Sequence, residues 1–137
     1  MAAAGDIGTG CCRYLAVKVK RLVLASRFSF NLKKIAQELK DYNAAEIIVE
    51  NDNQAAVHDG ELVITAASSV APFFRQDDFK KGAIICDVGY PKNIFPDYNR
   101  QAAPVFLFSG GLMKAPFSIK MPHHTELPGN NIIYGCW

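Results

Sequence analysis

The 137-residue sequence lacks the features by which several classes of protein are recognised. Its net charge is only +2, which is too small to indicate a basic surface for nucleic acid. No apolar run approaches the roughly 20 residues of a membrane-spanning helix. No basic segment followed by a long apolar stretch marks a secretory signal. We therefore expect a cytoplasmic protein with neither a membrane span nor a nucleic-acid partner.

The four cysteines do not form a recognisable metal or disulfide pattern. They stand at positions 11, 12, 86 and 136, so no C-x-x-C pair occurs. The adjacent His123 and His124 point in different directions along the chain and lack suitable partners at metal-ligand spacing. We expect no metal site, and free thiols are typical of a reducing compartment.

Helix-like and strand-like segments alternate along the chain. Apolar residues at helical spacing predict helices, and short continuous apolar runs predict buried parallel strands. The predicted helices span residues 7–19, 32–42 (with Asn31 as N-cap) and 52–58, and the predicted strands span residues 21–27, 46–50, 61–65, 82–88 and 105–108. A turn or single helical turn is expected over 76–81, irregular chain from Pro116, and helix or strand again over 132–134. This alternation predicts one α/β domain over 1–137, a doubly wound parallel sheet of Rossmann type covered on both faces. A flavodoxin-like strand order fits the spacing as well.

A glycine loop stands at the start of the chain. Gly5, Asp6, Ile7 and Gly8, preceded by alanines, form a degenerate G-x-x-G-x-x-G loop. Such a loop joins a strand to a helix whose N-terminal amides bind a dinucleotide pyrophosphate. Asp6 would repel a phosphate, so we expect its side chain to point outward. Because only four residues precede the loop, we expect the first strand to be missing or vestigial and the domain to be incomplete at both ends.

The next strand end indicates which dinucleotide fits. It falls about 20 residues after the loop, where the ribose is bound in such domains. Enzymes selective for NAD place Asp or Glu there, whereas this chain has Ser26 and Arg27. A hydroxyl and a guanidinium suit a 2′-phosphate, which favours NADP(H) as the cofactor.

Small residues at later strand ends are further candidates for cofactor contact. They allow a nucleotide to lie close to the backbone, although short loops without a ligand would have the same composition. The predicted cofactor-binding positions at these ends are Ala66, Ala67, Ser68, Val88, Gly89, Tyr90 and Gly110.

Five segments occur in an order that resembles a known family. They are Gly5–Gly8, Ser26–Arg27, the stretch from Lys81 to Asn93, Gly110–Gly111 and the segment from Tyr134 to Trp137. The chain resembles the cofactor-binding domain of long-chain fatty acyl-[acyl-carrier-protein] reductases and related predicted amino acid dehydrogenases, a group near the shikimate/quinate dehydrogenases.

The resemblance implies NADPH-dependent reduction of an acyl thioester, such as acyl carrier protein bears, to an aldehyde. Cys136 matches the family's nucleophilic cysteine, and Lys92 is a candidate to line the nicotinamide pocket. Two alternatives remain open at this point: a shikimate/quinate-type alcohol dehydrogenase domain, and a catalytically inactive nucleotide-binding remnant. The sequence also leaves a homo-oligomer open.

Overall fold

A computed structural model describes residues 3–26, 29–41, 45–95, 105–118, 129 and 131–134 of the chain. Three α-helices and seven β-strands are assigned there, together with a short 3₁₀ helix, Gln76–Asp78. The helices are α1 (Asp6–Ala16), α2 (Ser29–Lys40) and α3 (Asn53–His58). The strands are β1 (Arg21–Ala25), β2 (Glu46–Glu50), β3 (Leu62–Thr65), β4 (Ile84–Asp87), β5 (Phe106–Ser109), β6 (Leu112–Lys114) and β7 (Ile132–Tyr134). The described part of the chain contains no helix long and apolar enough to cross a membrane.

The first half of the chain forms a two-stranded parallel unit. β1 pairs with β2, with Arg21 opposite Glu46 and Ala25 opposite Glu50. The apolar faces of α1 and α2 pack on these strands, and the buried side chains of this cluster are those of Ala3, Cys12, Ala16, Leu24, Leu32, Ile35, Ala36 and Leu39. A bidentate Arg13–Glu38 ion pair joins the two helices at the surface, with Nε donating to Oε1 at 2.6 Å and Nη2 to Oε2 at 3.1 Å.

The second half forms a three-stranded parallel sheet in the order β3-β4-β5. Its register aligns Leu62, Ile84 and Phe106 in one row and Thr65, Asp87 and Ser109 in another. The core cluster beneath one face contains Val57, Val63, Phe74, Phe79, Ala83, Ile85 and Ile94. The predicted α/β class with parallel strands is therefore confirmed.

Several predicted boundaries were wrong. Asn31 is not an N-cap, because α2 begins two residues earlier at Ser29. α1 ends at Ala16 rather than near residue 19, and β1 ends at Ala25, so Ser26 follows the strand. β6 was not predicted; it pairs antiparallel with β7, which resolves the helix-or-strand ambiguity over 132–134 in favour of a strand.

The expectation that both sheet faces are covered is also wrong for the described residues. One face of β3-β4-β5 is open: Leu62 is 48% exposed, Ile84 46% and Phe106 66%. The apolar runs were read as strands buried on both faces, but in the described structure only alternate side chains are buried.

No strand within the described ranges lies between β1 and β3. The N-terminal residues do approach that position, because the Ala3 amide donates to the Ala25 carbonyl at 3.1 Å. Ala3 and Ala4 themselves form a turn, not a strand, while Met1 and Ala2 lie outside the described residues. Among the described residues, the predicted first strand is thus limited to this one contact.

Candidate functional site

The glycine loop lies at the carboxyl end of β1. The bond from Ala3 to the Ala25 carbonyl fixes the loop there, and the Thr9 hydroxyl donates to the Ala3 carbonyl at 3.0 Å. Gly5 is the N-cap of α1 with an extended backbone, φ −86° and ψ 168°. The structure therefore brings Gly5–Gly8 and Ser26 to one edge of the β1-β2 unit.

The N-terminus of α1 has the geometry of an anion site. The first intrahelical bond runs from the Thr9 amide to the Gly5 carbonyl, so the amides of Asp6, Ile7 and Gly8 have no acceptor within the helix. The helix dipole adds partial positive charge at the same end. Gly8 is buried and Asp6 is exposed.

The position that would select the ribose is described only in part. Ser26 is half-buried immediately after β1. Arg27, the other predicted 2′-phosphate ligand, lies outside the described residues.

Asp87 organises the carboxyl ends of β3, β4 and β5. Its buried carboxylate accepts four hydrogen bonds: from the Thr65 hydroxyl at 2.9 Å and from the amides of Gly89, Asn93 and Ile94 at 3.0, 2.8 and 3.2 Å. Its carbonyl accepts from the Gly110 amide at 3.0 Å and from Lys92 Nζ at 2.9 Å. One residue thus holds the loop that follows β4 against the ends of the neighbouring strands.

Asn93 completes this network by joining the loops after β3 and β4. Its side chain is fully buried; Oδ1 accepts from the Ala67 amide at 2.9 Å and Nδ2 donates to the Ala67 carbonyl at 2.8 Å. Gly89 lies directly over this amide, and a Cβ there would come within 2.6 Å of Asn93 Oδ1. The glycine at position 89 is therefore required by the Asn93 side chain, whether or not a nucleotide binds.

The other predicted contact residues occupy the same edge. Ala66 and Val88 are half-buried, and Ser68 is exposed. Tyr90, which is joined to Pro91 by a cis peptide bond, is 82% exposed. Gly110 packs tightly, because a Cβ there would come within 2.7 Å of Cys86 Sγ. Lys92 is half-buried, and its Nζ donates to the Asp87 carbonyl.

Two of the described thiols, Cys12 and Cys86, are poor nucleophiles. Burial raises the pKa of Cys12 to about 11. Burial also raises the pKa of Cys86, and the neighbouring Cys11 and Asp87 add to the effect. Cys136, the predicted nucleophile, lies outside the described residues. Within the described ranges, no group of three or more His, Cys, Asp or Glu side chains could hold a metal ion. His123 and His124 lie outside those ranges.

Sequence reasoning missed Thr65, Asp87 and Asn93 as the residues that shape the site. A signal was present: Asp87 is a carboxylate at the end of an apolar run, and a glycine and a proline follow it. A charged residue in that position cannot remain buried without several donors, which indicates a polar network at the strand end.

Comparisons with known proteins agree with the parallel α/β fold. A curated-protein comparison gave no match. Among solved structures, the nucleotide binding domain of glutamyl-tRNA reductase from Thermoplasma volcanium matches with a TM-score of 0.55 and 21% identity, over 76% of this chain and 69% of that one. At that identity the likeness concerns the fold, and it supports a Rossmann-like arrangement. The family model for Shikimate / quinate 5-dehydrogenase matches residues 2–108, most of the chain. The chain belongs to the shikimate / quinate 5-dehydrogenase family and is a nucleotide-binding domain of a dehydrogenase or reductase type.

Proposed function

We propose that the chain binds NADP(H) at the carboxyl edge of its strands, with the pyrophosphate at the N-terminus of α1. The observation that carries this proposal is the placement of three helix-terminal amides beside the end of β1. Amides without intrahelical acceptors, together with the helix dipole, favour a doubly charged pyrophosphate. The carboxylate of the loop itself, Asp6, is exposed.

The choice of NADP over NAD rests on Ser26 and Arg27. The Ser26 hydroxyl and the Arg27 guanidinium provide donors for a 2′-phosphate, and neither repels it. An NAD-selective site instead uses a carboxylate that accepts from the ribose 2′-hydroxyl. Neither residue of this pair is a carboxylate.

The network around Asp87 and Asn93 would support the nicotinamide end of the cofactor. It fixes the loops after β3 and β4 through buried hydrogen bonds, so Ala66, Ser68, Val88 and Tyr90 are presented from a rigid edge. Rigid loops at such an edge lower the cost of ordering the site on binding.

For the reaction, we propose reduction of an acyl thioester through Cys136. The Cys136 thiolate would attack the thioester carbonyl and release the carrier thiol, leaving an acyl-enzyme. NADPH would supply the hydride that reduces this acyl group, and cleavage of the carbon–sulfur bond would release an aldehyde and regenerate the cysteine. The raised pKa values of Cys12 and Cys86 leave these thiols unsuited to the role.

The second candidate is oxidation of a hydroxyl-bearing ring acid, which the family match itself favours. That reaction transfers hydride from an alcohol to the cofactor and needs no nucleophilic cysteine. The two candidates share the cofactor site and differ in whether Cys136 becomes acylated.

Titration with NADPH and NADH tests the cofactor proposal. We expect NADPH to bind at least about tenfold more tightly than NADH, and Ser26→Asp to reduce or reverse that preference because its carboxylate repels the 2′-phosphate. Ser118→Asp, at an exposed position after β6, is the matched charge control and should leave the ratio unchanged. Equal affinities for both cofactors would contradict the choice of NADP, and an absence of saturable binding would contradict the site.

Mass spectrometry after incubation with an acyl thioester tests the reaction. Acylation of Cys136 that persists in Cys86→Ser and is absent from Cys136→Ser supports the acyl-enzyme. NADP-dependent quinate or shikimate oxidation that is unchanged in Cys136→Ser would instead support the alcohol dehydrogenase.

A further inference from the structure

An open pocket lies at the point where β2 ends and α3 begins. Its volume is about 640 Å³, and its lining residues are Asn51, Asp52, Asn53, Gln54, Phe73 and Phe74. The first four residues follow β2 directly, and the two phenylalanines lie in the segment after β3. Because β2 is parallel to β1, the carboxyl ends of these two strands lie at the same edge, which is where we place the cofactor.

The strand register places this pocket next to the end of β1. Ala25 pairs with Glu50, so Ser26 and Asn51 are the next residues of the two neighbouring chains. Adjacent strands in a sheet lie about 5 Å apart. A group attached to a ribose at Ser26 is therefore within reach of the pocket.

An unpartnered polar atom borders the pocket. The Asn53 Oδ1 atom is buried and accepts no hydrogen bond from the described residues. A buried acceptor without a donor costs free energy, and such atoms are rare in folded proteins. Asn53 also lines the pocket, and rotation about its terminal χ2 torsion is broad and costs little, so a bound molecule can meet this amide. The site therefore calls for a ligand that carries an N–H donor.

The walls of the pocket are held in place by hydrogen bonds. The amides of Phe73 and Phe74 both donate to the Asn93 carbonyl, at 2.9 and 3.1 Å. Phe74 is fully buried, and the half-buried Phe73 ring lies with its centroid 4.7 Å from that of Phe74. On the other side, the Asp52 carboxylate accepts from the Gln54 amide at 2.8 Å and fixes the start of α3. The aromatic wall and the polar wall are thus both fixed before a ligand binds.

We propose that this pocket binds the adenine ring of the cofactor, an assignment that rests on the NADP(H) site proposed above. The Asn53 side chain accepts from the N6 amine and donates to N7, which is the pairing by which Asn recognises adenine. The half-buried Phe73 ring provides a surface on which the base stacks. A phosphate does not suit the pocket, because the Asp52 carboxylate would repel it.

Replacing adenine by hypoxanthine tests this assignment. Deamino-NADPH keeps the ribose phosphates and the nicotinamide, but it presents acceptors at both positions that face Asn53, so one of the two hydrogen bonds is lost. We expect NADPH to bind at least about tenfold more tightly than deamino-NADPH, measured by titration calorimetry on the chain as it is. In Asn53→Ala the two affinities should lie within about twofold of each other. Gln37→Ala removes an exposed amide from α2 and should keep the preference.

Stacking is tested separately from hydrogen bonding. Phe73→Leu should weaken NADPH and deamino-NADPH by a similar factor, at least about threefold, and keep their ratio, because stacking does not depend on the N6 amine. Circular dichroism verifies that each variant is folded, and the ratio in the unaltered chain decides the question if one is not.

The outcomes separate this inference from the cofactor site on which it rests. Saturable NADPH binding without a preference over deamino-NADPH would overturn the adenine assignment and leave the NADP(H) site standing. A preference that is unchanged in Asn53→Ala, or affinities that are unchanged in Phe73→Leu, would also overturn it. An absence of saturable binding by either cofactor would contradict the NADP(H) site itself, and the adenine assignment with it.

Discussion

Asp87→Asn tests the claim that one buried carboxylate organises the predicted cofactor edge. The carboxylate accepts four hydrogen bonds, three of them from backbone amides. An Asn side chain has one acceptor oxygen and one donor group. If the side-chain oxygen of the new Asn accepts from the Asn93 and Ile94 amides, its side-chain NH2 faces the Gly89 N–H, and that N–H loses its acceptor. The Thr65 hydroxyl can rotate and accept a hydrogen bond from this NH2 instead.

The cost follows from these contacts. One buried N–H without an acceptor costs about 1–3 kcal/mol, and two bonds to a charged acceptor become neutral bonds worth about 1 kcal/mol less each. The smaller penalty of burying a neutral amide offsets part of this sum. We expect a net loss of about 2–4 kcal/mol, a large share of the 5–15 kcal/mol that is typical of domains.

Urea unfolding followed by circular dichroism measures this loss. Asp77→Asn, at an exposed position in the 3₁₀ helix, is the control and should change stability by less than about 0.5 kcal/mol. Faster hydrogen exchange at the Gly89 amide should accompany the Asp87→Asn loss. A change in Asp87→Asn no larger than that of the control would refute the network as described.

Four further predictions concern close packing and thiol ionisation. Gly89→Ala should destabilise the fold by about 1–3 kcal/mol, because the new Cβ meets the buried Asn93 amide; thermal unfolding measures this, and an unchanged Tm would contradict it. Gly110→Ala should likewise lower the Tm, since its Cβ meets Cys86 Sγ and Val88, whereas Gly10→Ala meets nothing within 4 Å and serves as the control. Cys12 should stay unmodified by iodoacetamide at pH 8 in the folded chain and react once urea is added, because burial raises its pKa to about 11; equal labelling rates in both states would refute this. Since the folded pKa of Cys12 lies above the unfolded value, its contribution to stability should be full below about pH 9 and fall as the pH rises toward 11.

The sequence was most informative where a local rule decides the structure. A glycine loop followed by apolar residues at helical spacing predicted α1 to within one residue at its start, and short apolar runs located five of the strands. The N-cap assignment of Asn31 failed because a favourable capping residue also tolerates a helix interior, and nothing local prevented the helix from starting at Ser29.

Long-range contacts account for what the sequence did not predict. The partners of the Asp87 carboxylate lie up to 22 residues away, and Asn93 contacts Ala67 across 26 residues. No periodicity in the sequence encodes such pairs. The open face along Leu62, Ile84 and Phe106 could not be predicted either. A continuous apolar run occurs in strands with one covered face as well as in strands with two.

Amide chemical-shift mapping with NADPH tests the central claim most directly. The claim is that the cofactor's phosphates bind the N-terminus of α1 beside the end of β1. Saturable shifts should be largest at the amides of Ile7, Gly8 and Ser26, and smaller at Val88 and Gly110. An absence of saturable shifts, or shifts confined to residues away from this edge, would contradict the claim.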